Sequence, residues 1–496
     1  MNPKKELFNR SKMVWLAYAL LLCASAWVFL SDTFGHLIVN ADDFHYLTQS
    51  ARISENFGAL LDPHYHGSRP LTDIVFWLGF ELWGTEAKWF HTLVAWCFTT
   101  ACFLLALVCR EMGLSNNLSF LAGAFFLTTV AHFRNLYRIS GLSYHLAVIM
   151  VFGGVIFYLR GMKKNDWRWC VGHTTVLFLA MLSHPAAVFI LPFCLFVTFN
   201  KRQDVRSGLL FLLPATVAMG STAFCLIYFF PDKIQTYHSL YIPDFWNLAN
   251  NFFWLLSRLI TTAHWVLLPV YKFQKWESVV GMVGLLVLAF LLFRRGKPET
   301  TWAMWTLVAL APFINRMPRS YEIGTSGPSH YVYFASVGTS VLLACILLRV
   351  KEVVELRWGN VIGYAICYGL VIAIILGSFS AFDKLQAFSY YSSGNFHIEK
   401  RDLTTGIGQL YKAQNIANSE YVLPQDDVFI ALCHASILRG ENIDILLQRG
   451  TVRFPQNSKL HALYGAIEST RKDSLRKIRG LAAIEAARLD FHASGN

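Results

Sequence analysis

Apolar residues fall in long runs along most of this chain, and short polar segments separate the runs as far as residue 382. A run of about 18 or more apolar residues is long enough to cross a bilayer as a helix. The first run, residues 13–30, follows a basic start and continues past the cleavage-like Ala24-Ser25-Ala26, so it predicts an uncleaved helix rather than a signal peptide. The pattern therefore predicts an all-α fold, a polytopic transmembrane helical bundle.

Basic residues cluster in alternate connections between the runs, which is typical of cytoplasmic loops. With the N-terminus placed in the cytoplasm, this predicts about eleven crossings, and a count of up to about thirteen stays open because short spans are the hardest to assign. Residues 70–84 and 251–270 are apolar but carry charges, so they are interpreted as interfacial helices on the outer face. The predicted crossings are residues 13–30, 89–109, 118–133, 143–159, 170–182, 185–199, 208–230, 278–293, 298–314, 331–348 and 360–382.

The composition agrees with a membrane protein and narrows the class of partner. Of the 496 residues, 55% are hydrophobic and only 15% are charged, where soluble domains carry about 25% charged residues. The net charge of +12 lies in the short loops, so it is interpreted as a topology signal and not as a nucleic-acid surface. The ten cysteines form neither a disulfide framework nor a CxxC zinc pattern.

From residue 383 onward, the composition becomes polar and the pattern of apolar residues predicts helices. Leu423-Pro424-Gln425 and Phe454-Pro455-Gln456 open similar stretches about thirty residues apart, a spacing that resembles a helical-hairpin repeat such as the tetratricopeptide unit. We therefore predict a transmembrane domain over residues 1–382, whose first extracytoplasmic loop is 31–88. A small helical domain over residues 383–496 would lie outside the cytoplasm and could bind a protein partner.

Ionisable residues collect on the side of the membrane that is predicted to face outward, while the spans contain almost none. This distribution argues against an ion-coupled transporter and favours a reaction at the lipid–water interface. There a carboxylate can act as general base on a hydroxyl, and arginines can bind a phosphate. The outward residues are Asp42, Asp43, His45, Arg52, His64, His66, Arg69, Arg134, Arg138, His184, Arg316, Arg319, Glu322 and His330.

Each of these features also has a purely structural interpretation. Asp43 could be the N-cap of a helix over 44–56, Arg134 and Arg138 could anchor the chain at the interface, and the Ser-His-Pro sequence at His184 could simply break a helix. His64 and His66, with His45 nearby, could ligate a metal, but no metal motif supports this, so neither a metal nor another cofactor is predicted.

The order of several short motifs resembles the GT-C superfamily of membrane glycosyltransferases. Asn-Ala-Asp-Asp-Phe-His-Tyr-Leu at 40–47 and Ser-Arg-Pro-Leu-Thr at 68–72 are similar to the family's opening, and Phe90-His91 and residues 138–141 follow in the family's order. Residues 327–338 resemble its Glu-Arg-Tyr-Leu-Tyr-Leu-Pro-Ser-Ile-Gly segment, with His330 in place of an arginine; Leu142 likewise stands where the family has arginine. The protein O-mannosyltransferase-like branch with tetratricopeptide repeats looks most similar.

This resemblance implies a glycosyltransferase that moves a sugar from a polyprenyl-phosphate donor to an acceptor hydroxyl on the extracytoplasmic face, with inversion. It implies Asp42 as the general base with Asp43 beside it. The donor phosphate would be bound by Arg134, Arg138, Arg316, Arg319 and His330, and the substrate by His45, Tyr46 and Arg69. The partners implied are the lipid donor, membrane lipids of a bacterial inner or plasma membrane, and an acceptor of unspecified class; no nucleic acid is expected.

Two hypotheses from other classes stay open at the level of the sequence. A lipid-linked-sugar flippase or exporter should line a passage with polar side chains across the membrane, and the predicted spans lack them. A non-catalytic membrane scaffold would depend on the C-terminal domain and tolerate substitutions at Asp42 and Arg138.

Overall fold

The structure is a computed structural model, which describes residues 3–31, 33, 41–61, 69–130, 133–200, 205–229, 245–261, 276–294, 296–314, 331–416 and 423–471. Every regular element among these residues is a helix. They belong to two compact units, of which the first ends at Phe382 and the second contains the chain from Asp383 onward.

Up to residue 229, the described residues of the membrane unit form ten α-helices and three short 3₁₀ turns. The turns are Phe57–Leu61, Ile139–Gly141 and Pro185–Phe189. The helices are α1 (Pro3–Leu30), α2 (Ala41–Glu55), α3 (Pro70–Trp83), α4 (Ala87–Glu111), α5 (Asn116–Thr128), α6 (Phe133–Tyr137), α7 (Leu142–Lys164), α8 (Trp167–Ser183), α9 (Ile190–Asn200) and α10 (Val205–Phe229).

The second half of this unit is again helical, and the last of its helices continues into the second unit. A 3₁₀ turn, Ala311–Phe313, follows α13. The helices are α11 (Phe245–Thr261), α12 (Trp276–Phe293), α13 (Pro298–Leu310), α14 (Tyr333–Trp358) and α15 (Asn360–Glu399).

Seven helices in the described part of the chain are long and apolar enough to span a bilayer, namely Met13–Leu30 of α1, Ala87–Glu111, Ile139–Lys164, Val205–Cys225, Trp276–Phe293, Tyr333–Trp358 and Asn360–Glu399. The protein is thus a multi-pass membrane protein, and the predicted fold class is confirmed. The other predicted crossings correspond to the shorter helices α5, α8, α9 and α13. Ser183 ends α8 and His184 adopts an extended conformation before Pro185, so the segment forms two helices, as predicted.

Several helix ends differ from the predicted ends of the crossings, and α14, for example, continues to Trp358 rather than 348. The crossing expected over 118–133 is shorter, because α5 ends at Thr128 and Thr129 is extended. The last span, expected to end at 382, continues as α15 to Glu399. The change to polar residues at 383 ends the apolar run but not the helix, since no proline lies between residue 383 and Pro424 to interrupt it.

Helix α11 covers part of the predicted interfacial segment 251–270, and its residues after Thr261 lie outside the described residues. Its Arg258 is buried with Glu277 of α12, and Arg258 Nε lies 2.9 Å from Glu277 Oε2. Phe253 lies against Gly281 of α12, where a β-carbon would collide with the Phe253 backbone. The ion pair and the close backbone approach fix α11 against α12.

The acidic helix α2 is held by an aromatic and aliphatic cluster at one end of the bundle. Tyr46 of α2 stacks on Phe76 of α3, with ring centroids 4.4 Å apart, and Phe76 stacks in turn on Phe90 of α4 at 5.7 Å. Leu47, Val94, Ile139 and Leu142 complete the cluster. Burial of such side chains stabilises each by about 1.5–3 kcal/mol, so α2, α3, α4 and the start of α7 form one packed block.

The second unit continues, after α15, with α16 (Leu403–Asn415), α17 (Gln425–Leu438), α18 (Asp444–Arg453) and α19 (Ser458–Arg471). Asp402 caps α16 by accepting a hydrogen bond from Thr405 N at 3.2 Å. Asn457 Nδ2 donates to Asp426 Oδ2 at 2.7 Å and links the starts of α19 and α17. A small apolar cluster that includes Phe429 and Leu447 lies between these helices. The C-terminal segment is helical, and its assignment to tetratricopeptide repeats stays a prediction.

Candidate functional site

The two adjacent aspartates have opposite environments. Both lie in the first turn of α2, which begins at Ala41, where a negative charge is favourable at the positive end of the helix dipole. Asp42 is exposed, whereas Asp43 is only 1% exposed. Successive helical residues point about 100° apart, so packing of α2 on α3 and on the turn at Ser140 buries one carboxylate and leaves the other exposed.

Asp43 binds a distant loop rather than its own helix. Its Oδ1 accepts a hydrogen bond from Ser140 N at 2.9 Å. The interpretation of Asp43 as the N-cap of a helix over 44–56 is therefore wrong: α2 begins before it, and its carboxylate is used between elements that are far apart in sequence. This contact joins α2 to the 3₁₀ turn Ile139–Gly141, which directly follows Arg138.

Burial dominates the electrostatics of Asp43. Loss of water raises the pKa of its carboxyl group above the usual value, while the hydrogen bonds from Ser140 and the positive charge of Arg138 oppose this effect. Arg138 is itself 9% exposed. Asp43 and Arg138, one of the predicted phosphate-binding arginines, are thus neighbours in a region of low dielectric, where charges interact strongly.

Hydrogen bonds through His145 and Tyr333 support the loop that carries Arg138. His145 Nε2 donates to the Asn135 carbonyl at 3.1 Å, which leaves His145 Nδ1 to accept from the Tyr333 hydroxyl at 2.7 Å. Because a carbonyl can only accept, the His145 tautomer is determined. The start of α14 therefore supports the loop between α6 and α7.

In this loop, the backbone of Gly141 lies directly against the backbone of Asn135. A β-carbon on Gly141 would overlap the backbone of Asn135, which cannot move aside as a flexible side chain could. We expect Gly141→Ala to lower the unfolding temperature, because the strain displaces Arg138 and Ser140. Overpacking of this kind costs about 1–3 kcal/mol. Thermal unfolding in detergent measures the effect.

Gly220→Ala is the matched control for this substitution, because Gly220 lies in α10 and a β-carbon there meets no atom within 4 Å. We expect that variant to be as stable as the original protein, or slightly more so, since alanine favours helix. Equal unfolding temperatures for the two variants would contradict the close approach at Gly141.

Arg69 lies at the start of α3 and is the centre of a second polar group. Its Nη1 donates to the Tyr46 hydroxyl at 3.2 Å and to Ser143 Oγ at 3.1 Å. Its Nη2 lies 3.3 Å from His184 Nε2, and the guanidinium stands 6.0 Å from the centroid of the Tyr144 ring. Three separate segments of the chain therefore orient one guanidinium group.

Tyr46 connects the acidic turn to this group. Burial raises the pKa of its hydroxyl group; the positive charge of Arg69 lowers it, and the negative charges of Asp73 and Asp42 raise it. The phenol is therefore within electrostatic range of both Asp42 and Arg69. In the structure, one end of the packed block of α2, α3, α4 and the start of α7 carries the predicted residues Asp42, Asp43, Tyr46, Arg69 and Arg138.

The other predicted site residues are only partly described. His45 is half-buried in α2. Arg134 belongs to α6, but its side chain lies outside what the structure describes. The predicted donor-phosphate residues Arg316, Arg319 and His330 lie outside the described residues, as do His64, His66 and Glu322. Within the described ranges, no three His, Cys, Asp or Glu residues form a group that could hold a metal ion.

Several residues of the site carried no clear signal in the sequence. Ser143 lies two residues after Gly141 as an ordinary small polar residue, and His145 lies inside an apolar run, whereas Tyr333 belongs to the segment 327–338 that the resemblance had singled out. His184 was among the outward ionisable residues that the sequence singled out, and its alternative interpretation was a helix break. Thr72 of α3 donates to the Ser183 carbonyl at 3.2 Å and brings this break next to Arg69.

Comparison with known proteins gives a structural likeness and nothing at the level of sequence. No family model matches this chain, and no curated protein matches it. ArnT from Cupriavidus metallidurans in the apo state is similar, with 16% identity and a TM-score of 0.42, over 87% of this chain and 78% of that one. ArnT from the same organism bound to undecaprenyl phosphate gives 16% and 0.41, over 86% and 77%. At TM-scores below 0.5, neither likeness determines the activity of this chain.

Proposed function

We propose that this protein is a membrane glycosyltransferase that transfers a sugar from a polyprenyl-phosphate donor to an acceptor hydroxyl. One observation carries the proposal: an exposed carboxylate, Asp42, the oriented guanidinium group of Arg69 and the largely buried Arg138 beside Asp43 lie at one end of an apolar helical bundle. A base beside cations at a membrane surface suits displacement of a lipid phosphate by a hydroxyl.

In the proposed reaction, Asp42 removes the proton from the acceptor hydroxyl as that oxygen attacks the anomeric carbon of the sugar. The bond between the anomeric carbon and the phosphate oxygen breaks, and its electron pair stays on the phosphate. Arg69 and Arg138 stabilise this developing negative charge through hydrogen bonds and Coulomb attraction. A single displacement on the face opposite the phosphate inverts the configuration at that carbon.

Asp43 has a different role in this proposal. Its burial keeps it away from an acceptor hydroxyl, and its Oδ1 is hydrogen-bonded to Ser140 N. We infer that Asp43 is a positioning residue, which holds the Arg138 loop against α2. Arg134, Arg316, Arg319 and His330 remain proposed contacts to the donor phosphate, and His45 a proposed substrate contact.

The proposed topology places this end of the bundle outside the cytoplasm. Lys163 and Lys164 lie in the last turn of α7, at the opposite end from Ser140, and Arg357 lies in the last turn of α14, at the opposite end from Tyr333. The positive-inside rule assigns such basic ends to the cytoplasm. The N-terminus would then be cytoplasmic and the second unit extracytoplasmic, in a bacterial inner or plasma membrane.

Reconstitution in liposomes tests the proposed reaction against transport. A panel of radiolabelled polyprenyl-phosphate sugars is supplied with an envelope extract as the source of acceptor. Sugar should leave the lipid and polyprenyl phosphate should accumulate, only when both protein and extract are present. Movement of intact lipid-linked sugar between leaflets, without release of polyprenyl phosphate, would instead support the flippase hypothesis.

A further inference from the structure

The turn between α7 and α8 presents a group of exposed cations at the end of a membrane span. Lys163 and Lys164 lie in the last turn of α7, Arg168 lies at the start of α8, and all three side chains are exposed. Among the ion pairs of the described residues, none includes any of these three. Asp166 is the only carboxylate in the sequence between Lys163 and Arg168, so the turn carries an excess of positive charge.

The backbone of this turn is fixed at both helix ends. Asn165 ends α7 in the left-handed conformation, with φ 51°, and its N–H donates to the Gly161 carbonyl at 2.7 Å. The Asp166 side chain caps α8 by accepting a hydrogen bond from Arg168 N at 3.0 Å. Asparagine and aspartate are the residues that favour these two conformations. The cations are therefore presented by a defined turn.

An aromatic ring orients two of the basic side chains near the turn. The Lys164 ammonium lies 4.9 Å from the centroid of the Trp169 ring, and the Arg160 guanidinium lies 5.7 Å from it. Arg160 Nε also donates to Glu111 Oε1 of α4 at 2.8 Å, so its charge is neutralised within the protein. Contact with an aromatic face restricts a long cationic side chain, which lowers the entropy cost of binding an anion.

The length of the span places the turn at the depth of the lipid headgroups. The apolar helical segment Ile139–Lys164 contains 26 residues, which corresponds to about 39 Å of helix. The hydrocarbon core of a bilayer is about 30 Å thick, so the end of this span extends into the headgroup region. In the proposed topology this is the cytoplasmic leaflet, whose anionic lipids attract basic residues.

Helix α8 provides an apolar surface that begins at the same turn. Trp167, Val171 and Phe178 are 69%, 52% and 38% exposed, and their spacing of four and seven residues places them on one face of the helix. The opposite face, with His173 and Leu177, is buried. We call the face of Trp167, Val171 and Phe178 the α8 stripe. Tryptophan is typical of the boundary between headgroups and hydrocarbon.

We propose that the α7–α8 turn is a binding site for an anionic phospholipid of the bilayer. Lys163, Lys164 and Arg168 bind the phosphate and headgroup, and the α8 stripe lies along an acyl chain. The apolar stripe favours a lipid over a free phosphate ion, which would contact the cations alone. Binding at this turn does not depend on the proposed sugar transfer.

The turn between α14 and α15 shows that a basic helix end with an exposed tryptophan need not carry such an excess of charge. Trp358 is 59% exposed there. However, Arg349 pairs with Glu299, and Lys351 Nζ lies 2.7 Å from Glu355 Oε1. Carboxylates of the protein thus take the place that an anionic lipid would occupy, and the proposal is confined to the α7–α8 turn.

Native mass spectrometry of the purified protein in detergent tests the proposal, with phosphatidylglycerol, phosphatidylcholine and water-soluble glycerophosphoglycerol as probes. The original protein should bind phosphatidylglycerol most tightly. Lys164→Gln combined with Arg168→Gln should weaken this binding by about thirtyfold, since each basic residue near an anionic lipid surface contributes about fivefold. Thermal unfolding verifies that the variant is folded.

Lys297→Gln combined with Arg357→Gln is the matched control. It removes the same two charges from exposed positions, before α13 and at the end of α14. The Arg349–Glu299 ion pair joins these two helices near the same ends. Binding of phosphatidylglycerol by this control should be unchanged.

Three results would overturn the proposal. Unchanged binding in the Lys164–Arg168 variant would exclude the turn as the site, and equal losses in both variants would indicate a general effect of surface charge. Equal affinity for phosphatidylcholine would show that an anionic headgroup is not recognised. Glycerophosphoglycerol that binds as tightly as the whole lipid would overturn the role of the α8 stripe, whereas weak binding of it would support that role.

Discussion

Replacement of Asp42 by asparagine is expected to reduce sugar transfer by a factor of about 10²–10⁴, the usual contribution of a general base. The variant should fold and bind the lipid donor normally, because Asp42 is exposed, asparagine is nearly the same size, and the packed block around α2 consists of aromatic and aliphatic side chains. Initial rates at saturating donor and acceptor measure the loss, and thermal unfolding verifies the fold.

Asp43→Asn is the matched control on the neighbouring residue. The amide oxygen can still accept from Ser140 N, so we expect a loss of only about tenfold, through altered placement of Arg138. A fully active Asp42→Asn together with an inactive Asp43→Asn would transfer the role of base to the buried carboxylate.

The Asp43 variant should also change how stability depends on pH. The folded-state pKa of Asp43 is raised above its unfolded value, so between the two values the folded chain keeps a proton that the unfolded chain has lost. Stability from this group is therefore complete below about pH 4 and declines as pH rises through the folded pKa. Unfolding temperatures between pH 4 and 8 should decline less in Asp43→Asn than in the original protein.

Replacement of Arg69 by glutamine is the second large effect that we expect. A hydrogen bond to a charged group contributes about 1.5–3 kcal/mol, so the affinity for undecaprenyl phosphate should decrease by roughly 10- to 150-fold. Arg69→Lys should be intermediate, because lysine keeps the charge but cannot contact Tyr46 and Ser143 while also presenting a donor beside His184.

Lys88→Gln provides the control for loss of a positive charge. Lys88 lies over the ring of Trp89 near the start of α4, 5.8 Å from its centroid, and is not part of the Arg69 group. Its replacement should leave lipid binding unchanged. Equal losses in the Lys88 and Arg69 variants would indicate a general effect of surface charge and would contradict a defined phosphate contact.

The sequence predicted the helices well wherever apolar runs are long, because a run of that length can only be satisfied as a helix in a bilayer. Prediction was weaker at ends that composition does not mark, such as the continuation of α15 to Glu399. The sequence also indicated Asp42, Asp43, Arg69 and Arg138 as candidate site residues, since ionisable groups at a membrane edge are costly and unusual. These are local properties, and each can be recognised from a few neighbouring residues.

Only the tertiary structure determined which of these residues are buried and which side chains they contact. Adjacent aspartates look equivalent in the sequence, and the packing of α2 alone buries Asp43 and exposes Asp42. Likewise, Arg69 contacts Ser143 and His184, which are 74 and 115 residues away along the chain. The hydrophobic pattern determines that helices form and which residues enter them, whereas the contacts between polar side chains depend on how those helices pack, which no local pattern records.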